Sequence, residues 1–156
     1  MRTFVVLVAS LAYVGYIPVA SGTFGTLVAM PLFWVFDALR SVSPALPIVV
    51  FVAFVAGACW VAGQADAYLH EHDSHKIVID EAAGYVAATL FVPLNWQTAV
   101  AAFLIFRALD VIKPYPAGYI DQYLPGGPGV VLDDVVSGLY TNLILRGLLV
   151  IGVLAS

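Results

Sequence analysis

An arginine, an aspartate and a lysine stand three residues apart at Arg107, Asp110 and Lys113, where a long apolar run ends. In a helix this spacing puts them on successive turns of one broad face. Pro114 follows, and it ends a helix because it lacks an N–H and restricts the residue before it. Two pairs of adjacent acids, Asp80-Glu81 and Asp133-Asp134, sit just inside the starts of other apolar runs, and Asp73 precedes the first pair. If these groups converge, the six carboxylates Asp73, Asp80, Glu81, Asp110, Asp133 and Asp134 face three cations, Lys76, Arg107 and Lys113. A partly desolvated cluster with that surplus repels itself or takes up protons, and a divalent cation relieves it. Oxygen-only ligation suits Mg2+, with Mn2+ the alternative. Acids, a metal, an arginine and a lysine together suit a phosphorylated substrate. The cations neutralise phosphoryl oxygens, while a carboxylate acts as nucleophile or orients water. His70, His72 and His75 lie in a polar loop, and their spacing is not that of a zinc site.

The chain that must position these residues is apolar. It is 62% hydrophobic and 10% charged, with a mean hydropathy of +0.99, whereas a soluble domain carries about 25% charged residues. This is the composition of an integral membrane protein. Six Lys/Arg against ten Asp/Glu make no basic patch, which argues against nucleic acid as a partner. The single Cys59 lies in an apolar run, is read as packing, and rules out an intrachain disulfide or a multi-cysteine metal site.

A bilayer-crossing helix needs ~20 mostly apolar residues, with ~17 as a lower bound. Five stretches are expected to span or re-enter the membrane: Gly25–Leu39 with a kink at Pro31, Pro44–Gly63, Ile77–Pro93, Thr98–Lys113 and Val130–Leu154. An apolar helix over Thr3–Ala20 precedes them. It has the outline of a signal peptide and is read as a retained interfacial or first membrane helix. Gln64–Lys76 is the most polar stretch, Asn95-Trp96-Gln97 a tight turn with an interfacial tryptophan, and Tyr115–Gly129 a loop. No repeat or linker divides the chain. Residues 1–156 are expected to form one all-α polytopic membrane domain.

Alternating the spans across a bilayer puts every polar constellation on one face. The fourth span ends where the third and fifth begin, so Arg107, Asp110 and Lys113 meet Asp80, Glu81, Asp133 and Asp134. The second span ends there, delivering Asp73 and Lys76, and the first begins there with Ser21-Gly-Thr-Phe-Gly-Thr26. That Gly/Thr segment at a helix start offers free N–H groups to an anion, though Thr23 and Thr26 also suit plain capping. The excess of basic residues on this face, Lys76, Arg107 and Lys113, with Arg2 if the N-terminal segment does not cross, favours a cytoplasmic orientation. Each charge taken singly has a structural explanation, as an intrahelical ion pair or a helix-start acid. Taken together on one face, acids inside apolar segments point to function. Asp37, Asp66, Glu71 and Asp121 are isolated or loop-borne and are expected to be solvated. Ala83, Gly84, Ala87, Ala88, Ser137 and Gly138 suit close helix packing.

Three blocks of the sequence resemble bacterial phosphatidylglycerophosphatase A. They are Pro18–Thr26 with Pro31-Leu32; His72-Asp73 with Ile77–Glu81 and Gly84; and Phe106-Arg107, Asp110, Lys113-Pro114 and Pro116 through Gly126-Gly127, Gly129, Asp133-Asp134 and Gly138. Ser21 stands where that family usually has a proline. The resemblance implies a Mg2+-dependent membrane phosphatase of the bacterial inner membrane, converting the anionic phospholipid phosphatidylglycerophosphate to phosphatidylglycerol and inorganic phosphate. On that reading Asp80, Glu81, Asp133 and Asp134 are expected metal ligands. Arg107 and Lys113 bind phosphate with help from Thr23 and Thr26, and Asp110 or Asp73 is base or nucleophile. Two other classes are alternatives. An ion or solute carrier would place its charges nearer the midplane. A headgroup transferase would need an acid-rich repeat within one helix, which is not visible.

Overall fold

The structure is a computed structural model that describes residues 1–69, 74–93 and 95–154. Among the described residues it is helical without strands. The helices are α1 (Arg2–Ala9), a 3-10 turn (Val14–Tyr16), α2 (Ser21–Ala29), α3 (Leu32–Val42), α4 (Leu46–Leu69), α5 (Ile79–Thr89), α6 (Trp96–Ile112), α7 (Ala117–Tyr123) and α8 (Gly127–Val150).

Among the described residues, two segments are long and apolar enough to cross a membrane: Ser21–Val42, which breaks at Pro31 into α2 and α3, and Leu46–Leu69. Large apolar side chains are exposed on the outer faces of several helices, among them Trp34, Val49, Val52, Leu104 and Leu143. Exposed apolar side chains in such number suit a membrane-associated protein.

The third expected span is corrected by the structure. The apolar stretch Ile77–Pro93 forms a helix of only 11 residues, α5, about 17 Å long at 1.5 Å per residue and short of the ~30 Å hydrocarbon core. It is instead the hub of the fold. Every α5 residue except Asp80 is buried, and α5 packs against α2, α3, α4, α6 and α8. Its small residues permit this. A Cβ on Gly84 would meet the Phe106 ring and the Asp134 carbonyl oxygen, the latter at 2.8 Å, and a Cβ on Gly138 would meet that of Ala87 at 2.9 Å. Asn142 of α8 closes the C-terminal end. Its Nδ2 donates to the carbonyls of Ala88 and Leu90 at 3.0 and 2.9 Å, and Arg146 Nε donates to its Oδ1 at 2.7 Å. These bonds satisfy carbonyls that a helix end leaves open.

Three further expectations shift. The N-terminal helix stops at Ala9. Ser10 Oγ lies 2.7 Å from the Val6 carbonyl and accepts the Tyr13 N–H at 3.0 Å, a local alternative to the helix ladder, and Leu11, Ala12 and Tyr13 take positive φ. The turn expected at residues 95–97 is the start of α6: Asn95 Oδ1 accepts the Thr98 N–H at 2.8 Å as its N-cap. The loop expected over Tyr115–Gly129 holds α7.

Candidate active site

A cavity of about 580 Å3 opens where α5 and α8 begin and α6 ends. Its lining includes Asp80, Glu81, Arg107, Asp110, Lys113, Asp133 and Asp134, with Ala20, Ser21 and Gly22 from the start of α2 and His75 and Lys76 from the segment before α5. Eight charged residues singled out in the sequence, Lys76 among them, therefore share one cavity. Thr23 and Thr26 do not line it. Asp73, Glu71, His70 and His72 lie outside the described residues.

The charges fall into three groups. Glu81 is buried in the cavity wall. Arg107 Nη1 pairs with Glu81 Oε2 and, at 2.8 Å, with Asp110 Oδ2 one turn along α6. Thr26 Oγ1 donates to Glu81 Oε2 at 2.9 Å, so this threonine serves the carboxylate rather than the cavity. The second group surrounds Lys113, which ends α6 in the left-handed region at φ 47°. Its Nζ reaches Asp133 Oδ2 at 2.7 Å and Asp121 Oδ1 at 2.8 Å. Asp121, expected to be solvated, is thus a partner. These two carboxylates flank the half-buried Lys113 ammonium and balance its charge. Asp66 is likewise not solvated, since its Oδ1 is buried.

The third group is Asp110, Asp133 and Asp134. Each offers a carboxylate oxygen, and these oxygens lie within 4.8 Å of one another. Asp133 Oδ1 and Asp134 Oδ2 are buried without a hydrogen-bond partner among the described residues, as is Ser137 Oγ one turn further along α8. Buried polar atoms without partners are rare and mark a place for a ligand or ion. The sequence reading grouped Asp80 and Glu81 with the α8 pair as ligands. The geometry instead brings Asp110 to that pair and engages Glu81 with Arg107. Ser137, read as packing alone, also carries a buried polar atom without a hydrogen-bond partner among the described residues.

The start of α2 completes the wall. Ala20 takes the left-handed conformation at φ 53°, and the first helical hydrogen bond runs from the Phe24 N–H to the Ala20 carbonyl. The N–H groups of Ser21, Gly22 and Thr23 therefore precede the ladder, at the positive end of the helix dipole. Gly22 has no room for a side chain: a Cβ would collide with Glu81 Oε1 and approach Arg107 Nη2 at 3.0 Å. Ser21 Oγ donates to the His75 carbonyl at 2.8 Å, fastening this helix start to the segment before α5.

Fold and site define a helical, membrane-associated protein whose acid-rich cavity, edged by cations and a helix N-terminus, suits a phosphoryl group. The chain belongs to the phosphatidylglycerophosphatase A family, whose sequence model matches residues 7–149. It is 34% identical to phosphatidylglycerophosphatase A of Haemophilus influenzae over 84% of this chain and 80% of that protein. It is 33% identical to the Escherichia coli phosphatidylglycerophosphatase A over 84% and 75% respectively. A Bacteroides thetaiotaomicron protein provisionally named phosphatidylinositol-3-phosphatase is 32% identical over 84% of both chains. No solved structure matches the chain.

Proposed function

We propose that this chain hydrolyses the terminal phosphate monoester of phosphatidylglycerophosphate, giving phosphatidylglycerol and inorganic phosphate. The observation that carries this reading is the convergence of Asp110, Asp133, Asp134, Arg107, Lys113 and the α2 N-terminus on one cavity in a member of this family. Three carboxylates with two buried, unpartnered oxygens fit a hard divalent cation. Asp110, Asp133 and Asp134 would hold it, and Mg2+ is the ion that suits such a donor set, with Mn2+ next. When bound, such an ion supplies charge to the phosphoryl oxygens and to a bound water.

The chain's own residues divide the remaining work. The N–H groups at the start of α2 and the Arg107 guanidinium face the phosphoryl oxygens, and Glu81 with Thr26 holds that guanidinium in place. Lys113, fixed by Asp121 and Asp133, adds the second positive charge. Asp80 lies at the cavity edge of α5, with its Oδ1 accepting the Glu81 N–H at 3.0 Å, and it orients the attacking water. The water oxygen forms the new bond to phosphorus, the ester P–O bond breaks, and the proton lost by the water ends on the departing glycerol oxygen. Phosphate monoester hydrolysis is very slow without a catalyst, so a large electrostatic contribution is required.

The protein would be a multi-pass membrane protein with the cavity facing the cytoplasm. Arg2, Lys76, Arg107 and Lys113 on the cavity side against Arg40 and Arg146 on the other support that orientation. The acyl chains of the substrate would stay in the bilayer. The test is to give the purified protein phosphatidylglycerophosphate, phosphatidic acid and phosphatidylinositol 3-phosphate in separate mixed micelles and to identify the lipid products. Phosphatidylglycerol formed in preference to the other two products supports the reading. Preferential attack on either of the others removes the substrate assignment.

A further inference from the structure

The scissile phosphate accounts for only one part of the cavity. At about 580 Å3 it falls in the ~300–1,000 Å3 range of sites that enclose a whole small molecule. Arg107, Lys113 and the three clustered aspartates form one wall. The lining also includes Tyr16, Ile17, Pro18 and the segment His75–Val78, where Lys76 is the charged residue. This part of the lining is built rather than loose. Gly15 packs so closely on the Lys76 backbone that a Cβ there would collide with its carbonyl oxygen. Ser21 Oγ holds the His75 carbonyl at 2.8 Å, and the Val78 N–H donates to the Ala9 carbonyl at 2.9 Å. Lys76 Nζ lies 6.0 Å from the centre of the Tyr16 ring, which places an ammonium on an aromatic face beside the cavity. Next to this wall the N-terminal segment exposes Tyr13, Tyr16 and Val19, an apolar rim of the kind that borders lipid.

We infer that Lys76, seated on Tyr16, forms a second anion subsite that binds the phosphodiester of the lipid headgroup. This rests on the reading of the chain as a phosphatidylglycerophosphate phosphatase. That substrate carries two phosphates, a terminal monoester and an inner diester that leads to the acyl chains. With the monoester at Arg107 and Lys113, Lys76 is the further cation of the same lining left to meet the diester, and the acyl chains pass over the exposed apolar rim. Lys76 is thereby a specificity-determining residue, because phosphatidic acid has only the monoester.

Two inhibitors separate the subsites, since phosphatidylglycerol keeps the diester alone and inorganic phosphate mimics the monoester alone. In Lys76→Gln, KM for phosphatidylglycerophosphate and the inhibition constant of phosphatidylglycerol should each rise about tenfold, the size of one charge-assisted hydrogen bond. Inhibition by inorganic phosphate should stay as in wild type, which also reports that the variant is folded, and Lys76→Arg should restore most of the lost affinity. The inference is overturned if phosphatidylglycerol inhibits Lys76→Gln as it does wild type, if it fails to inhibit wild type, or if both inhibitors weaken equally. A wild-type enzyme that releases no phosphate from phosphatidylglycerophosphate would instead remove the underlying reading.

Discussion

Lys113 Nζ and Asp133 Oδ2 lie 2.7 Å apart and join the end of α6 to the second turn of α8. Asp121 of α7 completes the clasp from the other side at 2.8 Å. The same lysine thus fixes one of the clustered aspartates and presents its charge to the cavity. Lys113→Met should lower kcat about 100-fold, the cost of removing one preorganised charge-stabilising group. Lys113→Arg should recover part of it, as a guanidinium keeps the charge but not the point geometry. Steady-state phosphate release measures both.

Gly22 is the one residue at the α2 start whose missing side chain the site requires. Gly22→Ala should push Glu81 or Arg107 aside and cut kcat/KM about tenfold or more, an effect of roughly 1.4 kcal/mol per factor of ten on the transition state. The melting temperature should move little, because the displaced atoms are the ends of flexible side chains.

Gly84 offers the contrasting case. A methyl there meets the Phe106 ring and the Asp134 backbone, neither of which can yield freely. Gly84→Ala should destabilise the protein by about 1–3 kcal/mol, the usual penalty for overpacking. Thermal unfolding in detergent reports it, and activity should fall in step with the folded fraction.

Much of the site was legible in the sequence. The charged residues cluster at the ends of apolar segments, so Asp80, Glu81, Arg107, Asp110, Lys113, Asp133 and Asp134 could be brought to one place without coordinates, and they line one cavity. The pairing within the cluster was not legible. Whether Arg107 turns to Glu81 or stays with Asp110, and whether Lys113 reaches Asp133, depends on side-chain directions set by tertiary packing and by the left-handed turn at Lys113. Asp121 looked like a loop acid because α7 is too short to show a helical period. The brevity of α5 was hidden because hydropathy cannot separate a helix buried in protein from one buried in lipid. Asn142 and Ser137 gave no sign at all, since a polar residue in an apolar helix announces a partner but not which one.

The carboxylate cluster makes a further prediction. Asp134→Asn should keep the fold but weaken activation by divalent cation, raising the Mg2+ concentration needed for half-maximal rate about 10- to 100-fold, the range seen when groups supporting a metal site are lost. Asp133→Asn should do the same and also loosen Lys113. Equilibrium Mn2+ binding, followed by its paramagnetic signal without substrate, gives a readout independent of turnover.

The most direct test of the whole account is phosphate release from phosphatidylglycerophosphate by purified, chelator-stripped wild-type protein as Mg2+ is returned. The account predicts no release without the ion, saturable recovery with it, and a curve displaced to higher Mg2+ in Asp134→Asn. Full activity in the stripped protein, or identical curves for wild type and Asp134→Asn, would contradict it.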